Sequence, residues 1–485
     1  MRRALVLVLV ATGVVGLAVT SARGHVRARA ASAGAVWSPP QVLVPASQYA
    51  SNPQLAVSED GDTLAAWAGG PEPQPAKAGK AATTSPGSPS ASRQVSSGSD
   101  VVVDTGTVTG GFSPPVVLAE HAAYTSDGLD IAISGAGVRY VAWQTHTGEV
   151  IESAASGGSF SAAHALLQGR DQLLRLVRSP AGPVAAVWFT WVGETPLLRY
   201  ALLRPDGTLG RTVALGRWNG SLEGTPFALN DHGEFAALDM VGQSAEGKVP
   251  PAPLVHICNP AGHCSRPHEL HFGHTPAGAD ENQAIALSND GTVSVIASFS
   301  KVPEHPAANT PLGLFAAVRR PGKPWTAPQE VSNGGEFPLA ASDGNGSAVM
   351  VFQHFWTPKV HWLGDRIEIS VLRSPGDRFA APDLVRGEEA PNPAALATTM
   401  SGGLLVAWIN SGGIVGGEHS KPGIYAVTGS AVDPGAPQLV AGDEVSDETP
   451  AAGIDRDRQG VILWTGSTQT PPRDAGVYAS VYGVP

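Results

Sequence analysis

The chain has few charged residues, and acidic residues outnumber basic ones. Charged residues make up 15% of 485 positions, with 31 Lys and Arg against 42 Asp and Glu, for a formal net charge of -11. Binding to nucleic-acid phosphates needs a basic face, so this balance excludes a general nucleic-acid binder. The scarcity of Lys beside Arg, together with the abundance of Ala and Gly, is typical of a bacterial gene of high G+C content.

Long apolar runs are absent from the sequence after its N-terminus. Met1, Arg2 and Arg3 precede an apolar stretch that ends near Thr20, and small residues follow. A basic start, an apolar run and small residues are the pattern of a secretory signal peptide. We therefore expect residues 1–22 to be a signal peptide, with 30 as the alternative end and an uncleaved anchor as the competing interpretation. The remainder predicts a secreted, extracellular protein without stable membrane insertion.

Familiar enzyme motifs are also absent from the sequence. It contains no Gly-x-Ser-x-Gly, no His-Glu-x-x-His and no phosphate-binding Gly loop. These absences exclude the enzyme families that those motifs define. They do not exclude a glycosidase, whose two carboxylates come from distant positions in the chain.

A unit that recurs eight times dominates the rest of the sequence. Each copy has a Gly turn, five residues and a position that is usually Trp. Seven copies read Gly61–Trp67, Gly137–Trp143, Gly182–Trp188, Gly233–Asp239, Gly291–Ala297, Gly346–Phe352 and Gly402–Trp408. We interpret the eighth as Gly460–Trp464, two residues shorter. A period of about 50 residues built from short strands indicates a radial β-architecture.

The two ends of the chain complete each other. Each copy contains four strand-like segments, A to D, joined by turns of the Asp-Gly and Gly-Gly type. The last copy has no D segment, whereas Trp37–Leu43 at the front resembles the internal D segments Trp325–Val331 and Phe379–Val385. The sequence therefore predicts an all-β fold over residues 36–485. It is an eight-bladed β-propeller of four-stranded antiparallel blades, closed by an N-terminal strand in the last blade. Two separate smaller rings are the alternative.

One segment interrupts the repeats. Residues 71–99 are rich in Pro, Ser and Ala and contain no aromatic residue. Such a composition buries too little apolar surface to offset the entropy of ordering. We expect a disordered loop between strands B and C of the first blade.

A ring of polar residues is expected at the start of the A strands. The position sixteen residues before each Trp position is polar in every copy: Ser51, Asp127, Gln172, Glu223, Glu281, Glu336, Asn392 and Glu448. If strand A is innermost, these side chains surround the mouth of the central channel. The carboxylates Asp127, Glu223, Glu281, Glu336 and Glu448 are candidate ligand-binding groups. They could attract a cationic or polyhydroxylated ligand or hold Ca²⁺, the one cofactor considered. Alternatively, each residue caps its own blade.

Aromatic residues gather in the B–C connections, several of which are long. Trp356 and Trp362 lie in the sixth connection, next to His354, and Trp191 lies in the third. Trp218 stands in a D–A connection, which emerges on the same face of a propeller. Aromatic rings stack on sugars and on planar ligands, so Trp191, Trp356 and Trp362 are candidate ligand contacts. The alternative is that these rings pack on neighbouring loops.

The two cysteines are the only ones in the chain. Cys258 and Cys264 flank a five-residue turn in the fourth copy. In an exported protein an isolated pair of this kind predicts a disulfide. A transition-metal site with the neighbouring histidines is the alternative.

The C–D turns carry a resemblance to a known family. Arg373–Phe379 and Arg320–Trp325 resemble degenerate versions of the Asp-box turn of sialidase-like repeat proteins. The full Ser-x-Asp-x-Gly-x-x-Trp pattern occurs in no copy, and the Phe-Arg-Ile-Pro motif of true sialidases is absent. The resemblance implies a propeller with carbohydrate ligands, and it assigns no catalytic residue.

Two functional hypotheses follow from the sequence. The first is a secreted, non-catalytic propeller, expected to be a monomer, that binds an extracellular glycan, peptide or protein on its loop-rich face. The second is a carbohydrate-active hydrolase that uses carboxylates of the ring, with Glu223, Glu281 and Glu336 as the candidates. A ring carboxylate with a raised pKa would favour the hydrolase.

Overall fold

The computed structural model describes twenty stretches of the chain, which together cover the repeats. They are residues 36–45, 49–70, 99–123, 128–145, 147–168, 172–193, 195–218, 225–241, 252–272, 275–276, 283–300, 312–354, 366–385, 395–410, 414–415, 418–419, 421–430, 433–442, 449–467 and 475–483. The predicted signal peptide (1–22, or 1–30) and nearly all of the predicted loop 71–99 lie outside these residues. Both remain predictions.

The described residues form 38 strands, all paired antiparallel. The first half of the chain gives β1 Val36–Trp37, β2 Gln41–Val44, β3 Tyr49–Val57, β4 Asp62–Gly70, β5 Ser99–Thr107, β6 Gly111–Phe112, β7 Val116–Ala123, β8 Leu129–Ile133, β9 Arg139–Thr145, β10 Gly148–Ala154, β11 His164–Gln168, β12 Gln172–Arg178, β13 Val184–Val192, β14 Thr195–Leu202, β15 Val213–Arg217, β16 Phe227–Leu229, β17 Phe235–Val241, β18 Ala252–Cys258 and β19 His268–Glu269. The second half gives β20 Thr275–Pro276, β21 Gln283–Leu287, β22 Val293–Ser300, β23 Leu312–Arg319, β24 Gln329–Ser332, β25 Gly335–Ser342, β26 Ala348–His354, β27 Arg366–Leu372, β28 Asp383–Val385, β29 Ala395–Thr398, β30 Gly403–Asn410, β31 Ile414–Val415, β32 Glu418–His419, β33 Gly423–Ser430, β34 Asp433–Pro434, β35 Gln438–Gly442, β36 Ala451–Ile454, β37 Gly460–Ser467 and β38 Ala475–Gly483.

These strands form eight blades, as predicted, except that β31 and β32 form a separate two-stranded sheet. Blades one to seven begin with β3, β8, β12, β16, β21, β25 and β29, and each runs outward in the order A, B, C, D. The A strands of consecutive blades contact one another, and β36 of blade eight contacts β3 of blade one. Strand A is therefore innermost, and the ring closes without an open sheet edge at its seam.

The last blade takes its outer strand from the front of the chain. β1 and β2 both pair with β38, with Trp37 opposite Tyr482 and Val42 opposite Tyr478. Ser38 strengthens the seam, because its backbone N–H donates to the Val481 carbonyl over 2.8 Å. The predicted closure by the N-terminal strand is confirmed.

The hydrophobic core lies between blades, where each of the eight interfaces has its own cluster of buried side chains. The repeated aromatic position fills six of these interfaces, with Trp67, Trp143, Trp188, Phe352, Trp408 and Trp464 all buried. A large ring at one point of strand B packs on the preceding blade each time. Each ring removes enough apolar area from water to contribute a few kcal/mol, about 2 or more.

Two interfaces lack the large ring and are filled from elsewhere. Blade four has Asp239 at this position, and the buried Trp218 from the third D–A connection occupies the interface between blades three and four. Blade five has Ala297, and Phe272, Phe299 and Phe315 pack beside it. Trp218 lies in the D–A connection after β15, as expected, but its ring is buried in the interface and is not an exposed ligand contact. Its indole N–H donates to Thr225 Oγ1 over 3.1 Å inside the core.

The eighth copy of the repeat is of full length, so its interpretation as a shortened copy is wrong. The turn before β37 is Asp455 to Arg458, and Arg458 has φ of 64° where the other copies have Gly. Arg458 stands six residues before Trp464, the same spacing as Gly61 to Trp67. The full length of this copy was not recognised because an Arg replaces the expected turn glycine.

Candidate functional site

The two faces of the propeller differ in their connections. The A–B and C–D turns emerge on one face, which we call the turn face. The B–C and D–A connections emerge on the other, which we call the loop face. Most of the long connections on the loop face lie outside the described residues. The strand ends that lead into them are described and define where a ligand could meet this face.

The A–B turns share a polar residue three positions before the turn glycine or its replacement. The eight residues are Ser58, Ser134, Ser179, Asn230, Ser288, Asp343, Thr399 and Asp455. In most copies this side chain forms a hydrogen bond with the backbone of the residue four positions later. In blade one, for example, the Asp62 N–H donates to Ser58 Oγ over 3.0 Å. Asp343 and Asp455 accept in the same way from Ser347 and Gln459. These side chains use their polar groups to fix the turns.

The turns also bond to one another across the end of the channel. Asn289 Nδ2 donates to Asp231 Oδ2 over 2.7 Å, and the Met400 N–H donates to Glu59 Oε1 over 2.7 Å. The Gly135 N–H donates to the Gly182 carbonyl over 2.7 Å. These turns form the floor of the channel, and their polar groups are hydrogen-bonded to one another. Burial raises the pKa of Glu59, and the Met400 hydrogen bond opposes that shift.

A cavity of about 160 Å³ lies in the channel above this floor. Its walls are mostly apolar residues of the A strands, such as Val57, Leu287 and Ala341. Arg178 and Glu59 supply its charged groups, and an Arg178 Nη donates to the Val57 carbonyl over 2.7 Å. Burial lowers the pKa of Arg178, and the Glu59 carboxylate opposes this shift. The cavity therefore has one cationic and one anionic side chain, Arg178 and Glu59, among mostly apolar lining residues.

The predicted polar ring can be followed at three of its eight positions. Ser51, Gln172 and Glu336 each pair with the residue that follows the aromatic position of strand B, namely Ala68, Phe189 and Gln353. The three positions are therefore equivalent in register, at the loop-face end of strand A. Asp127, Glu223, Glu281, Asn392 and Glu448 lie outside the described residues, and whether the ring binds a ligand stays a prediction.

A backbone distortion sets the position of Glu336. A β-bulge separates Glu336 from Leu339, and Phe337 between them has φ of 49°, which a bulky residue rarely adopts. Asn52 has φ of 52° at the equivalent bulge beside Ser51. In both places a Pro follows, so the same local sequence pattern bends two A strands where they reach the channel mouth. Glu336 itself is partly buried.

The predicted aromatic contacts are described only in part. Trp191 lies near the end of β13, opposite Pro196, and its residue is 38% exposed. It is the only Trp among the exposed large apolar residues of the described chain. Trp356 and Trp362 lie outside the described residues. The connection that contains them begins after His354 and ends before Arg366, at the loop face.

An open cleft of about 430 Å³ lies at the loop face between blades five and six. His354, the last residue of β26, meets Ser332, the last residue of β24, with His354 Nδ1 and Ser332 Oγ 3.1 Å apart. Glu368 of β27 places Oε2 3.4 Å from the same nitrogen. The side chains of His354 and Glu368 are 12% and 18% exposed. We call this the His354 cleft.

The sequence places His354 next to an aromatic cluster but does not indicate its partners Ser332 and Glu368. Ser332 ends strand D of one blade, while Glu368 is in strand C of the next, far along the chain. The strand register is the signal that could have identified these partners. Both His354 and Glu368 have side chains on the face of blade six that packs against blade five, because His354 pairs with Arg366 and Glu368 lies two residues further on.

Several acidic side chains are buried in the C strands, away from the cleft. Burial raises the pKa of Glu149 to about 7 and that of Glu152 to about 6. It raises the pKa of Asp104 to about 6, against hydrogen bonds from Ser113 and Thr105. Burial lowers the pKa of His256 to about 4. These groups lie on C strands within the blades, so we interpret them as determinants of stability.

The predicted disulfide is confirmed. Cys258 and Cys264 are bonded across the C–D turn of blade four, with Cα atoms 3.9 Å apart. Within the turn the Asn259 N–H donates to the His263 carbonyl over 3.0 Å. The transition-metal alternative for this pair is therefore excluded. In the described part of the chain, no group of three or more His, Cys, Asp or Glu is arranged to hold a metal ion.

The described segments contain no helix with the length and hydropathy needed to cross a bilayer.

Comparison with known proteins identifies no family for this chain. No known family model matches the chain, and no curated protein matches it. Among solved structures, the chain is similar to a protein of unknown function from Dyadobacter fermentans DSM 18053, at 12% identity and a TM-score of 0.43. That match covers 93% of this chain and 100% of the other.

Two further solved structures are enzymes or enzyme-like. Polysaccharide lyase Uly1 matches at 9% identity and a TM-score of 0.39, over 89% of each chain. The N11 neuraminidase-like protein of A/flat-faced bat/Peru/033/2010 matches at 12% identity and a TM-score of 0.34, over 72% of this chain and 92% of its own. Identities and TM-scores this low do not transfer an activity to this chain.

Proposed function

We propose that the chain is a secreted, non-catalytic β-propeller that binds an extracellular glycan, peptide or protein on its loop face. The observation that carries the proposal is the contrast between the two faces. Asp231, Asn289, Met400 and Glu59 of the turn face bond to one another and close the channel floor. The loop face instead has an open cleft lined by polar side chains. A binding site needs polar groups that are available to a ligand.

Aromatic residues also favour the loop face as the binding surface. Trp191 exposes part of its ring at the end of β13. Trp356 and Trp362 belong to the connection that follows His354, and His354 lines the cleft. Aromatic side chains of this kind supply contact area for sugars and peptides. Secretion as such is part of the proposal, and the Cys258–Cys264 disulfide supports it because such bonds persist in oxidising compartments.

An array experiment tests the proposed face. The purified protein is applied to glycan and peptide arrays, and hits are compared with Trp191→Ala and with a Trp356→Ala, Trp362→Ala double variant. We expect these variants to lose at least tenfold in affinity for the hits. Trp325→Ala is the matched control, because Trp325 is also a Trp but stacks on His268 at a C–D turn. If only the Trp325→Ala control loses binding, the ligand binds the turn face and the proposed loop-face site is wrong.

The alternative is a carbohydrate-active hydrolase of sialidase-like type with ring carboxylates as acid and base. The observation in its favour is Glu336, a partly buried carboxylate that a bulge holds at the channel mouth. Glu223→Gln, Glu281→Gln and Glu336→Gln, assayed on a panel of glycosides, decide between the two functions. A hydrolase predicts measurable turnover in the parent protein and its loss in a folded Gln variant.

Ca²⁺ at the channel mouth is also proposed, with Asp127, Glu223, Glu281, Glu336 and Glu448 as the carboxylates that could supply oxygen ligands. Metal analysis of the purified protein, with melting curves in the presence and absence of a chelator, tests it. A bound ion that stabilises the fold lowers the melting temperature when it is removed. Identical curves and no metal would end this part of the proposal.

A further inference from the structure

We propose that the His354 cleft contacts an amine-bearing sugar, such as a glucosamine oligosaccharide, through His354 and Glu368. This inference rests on the proposed function and deepens it, because it names the residues and the chemical class of ligand. The cleft volume of about 430 Å³ is in the range of small-molecule sites. Five of its lining residues lie in strands of blades five and six, and Asn333 and Pro382 directly follow and precede such strands.

His354 is held by one ring nitrogen, while its ring lines the cleft. Both Ser332 Oγ at 3.1 Å and Glu368 Oε2 at 3.4 Å approach Nδ1. Among the described residues Nε2 has no hydrogen-bond partner. Because Nδ1 is engaged and the side chain is largely buried, the ring orientation is set before a ligand arrives. The Nε2 atom is then available to a sugar hydroxyl.

The same geometry argues against a catalytic triad. In a Ser-His-acid triad the hydroxyl and the carboxylate bind opposite nitrogens of the imidazole, so that a proton can pass through the ring. Here both Ser332 and Glu368 lie at Nδ1. Ser332 is therefore not activated as a nucleophile by His354, and a binding role fits the contacts.

The described walls of the cleft are rich in acceptors. Glu368 contributes a carboxylate, and Ser332 and Asn333 contribute a hydroxyl and an amide. Glu330 adds a second carboxylate to the wall and has another interaction within the protein. No Lys or Arg lines the described walls. Arg366 stands opposite His354 in the ladder, but its side chain is exposed, it has other interactions, and it does not line the cleft. A ligand that offers protonated amines and hydroxyls suits these acceptors, and a uronic or sulfated sugar would be repelled.

Apolar surface completes the complementarity. Val331 and Pro382 line the same cleft. Sugar rings have C–H faces that pack on such surface while their hydroxyls and amines reach the polar groups. The combination of an acidic wall, one oriented imidazole and two apolar contacts therefore favours an amino sugar over a bare metal ion or a small inorganic anion.

Calorimetric titration with three tetrasaccharides tests the inference on the full mature protein. The probes are a glucosamine tetramer, an N-acetylglucosamine tetramer and a galacturonic acid tetramer, at a pH where the free amines are protonated. We expect the glucosamine tetramer to bind at least tenfold more tightly than its N-acetylated form, and the galacturonate tetramer not to bind.

Single-residue variants test whether the ligand binds in the His354 cleft. Glu368→Gln keeps the shape and removes one charge, so it should weaken glucosamine binding about tenfold, which is 1.4 kcal/mol. The N-acetylated tetramer should change by less than twofold. His354→Ala should weaken both tetramers. Glu269→Gln is the matched control, because Glu269 also lies beside a histidine, His271, at 3.6 Å, but on the exposed outer strand of blade four. Thermal melting checks that each variant is folded, and the isosteric Glu368→Gln carries the test if His354→Ala is unstable.

The outcomes separate this inference from the proposed function. If Glu368→Gln and the Glu269→Gln control both bind glucosamine as tightly as the parent does, the assignment of the ligand to the His354 cleft is wrong. The proposed function, binding on the loop face, is not contradicted by that result. Equal or tighter binding of galacturonate would overturn the ligand class. If none of the three tetramers binds, the inference is wrong, and the array hits with their Trp191 variants still decide the proposed function.

Discussion

Trp37 and Tyr482 face each other across the seam of the ring, with their ring centroids 5.3 Å apart. They are partners in the ladder between the N-terminal strand and the last strand of the chain. Ser480 Oγ donates to the Ser38 carbonyl over 2.7 Å beside them. Backbone and side chains thus hold the two ends of the chain together, and the ring depends on this one seam for its closure.

Trp37→Ala should destabilise the protein by about 2 kcal/mol. It removes the aromatic contact with Tyr482 and the packing of a partly buried ring, while the backbone ladder remains. Chemical unfolding followed by fluorescence measures the change, and hydrogen exchange should show faster opening of β38. Trp191→Ala is the control, since Trp191 is more exposed and far from the seam. Equal losses in the two variants would mean that the seam has no special role.

Arg458→Gly should stabilise the protein by about 1 kcal/mol. Arg458 has φ of 64°, a left-handed conformation that costs a non-glycine residue about 1–2 kcal/mol. The other A–B turns that have positive φ at this position use Gly there, as at Gly402 with φ of 79°. Thermal melting of the variant should show a rise.

Gly402→Ala is the matched reverse change. A Cβ at Gly402 would meet only Asp343 Oδ2 at 3.8 Å, so the space is open and the cost is that of the backbone alone. We expect a loss of about 1 kcal/mol. If Arg458→Gly instead destabilises, the packing of the Arg458 side chain against Gly403 outweighs the strain.

Much of the fold could be predicted from the sequence because the repeat encodes it locally. The turn glycine and the aromatic residue six positions later indicate strand B in most blades, as at Gly402–Trp408, where β30 runs from Gly403 to Asn410. The D-like pattern of Trp37–Leu43 was enough to predict the seam. These features depend on short-range patterns that a single chain displays.

The compensations between blades could not be predicted in the same way. Trp218 replaces the ring missing at Asp239 from a different connection, and Phe272 packs beside Ala297 from the preceding blade. Which side chain fills a gap depends on contacts between distant segments. The partners of His354 were missed for the same reason, since Ser332 and Glu368 meet it only after two blades are packed together.

The Cys258–Cys264 disulfide should stabilise the protein by about 2 kcal/mol according to the loop-closure estimate for a short loop. A Cys258→Ser, Cys264→Ser double variant should unfold correspondingly earlier in denaturant, and Cys258 is buried, so part of the loss reflects packing. Thiol titration of the parent protein should give no reaction before reduction. Two reactive thiols in the oxidised protein would contradict the bond.

Glu149 should make the stability of the protein fall as the pH rises. It is 2% exposed, and burial raises its pKa to about 7 from an ordinary value of 4.5. Between these two values the folded state binds a proton that the unfolded state has released. The stabilising contribution is complete below about pH 4.5 and is lost as the pH passes through 7, and its size is about 3 kcal/mol.

Glu149→Gln removes this dependence, because the amide stays neutral at every pH. The variant should match the parent at pH 4.5 and exceed it by about 3 kcal/mol at pH 8 in chemical unfolding. The pKa of Glu152, raised by burial to about 6, acts in the same direction, whereas His256, with its pKa lowered to about 4, acts oppositely between pH 4 and 6.5. Both contributions are common to the parent and the variant, so the difference between their curves isolates Glu149. Parallel curves over this range would show that Glu149 is solvated in the folded protein.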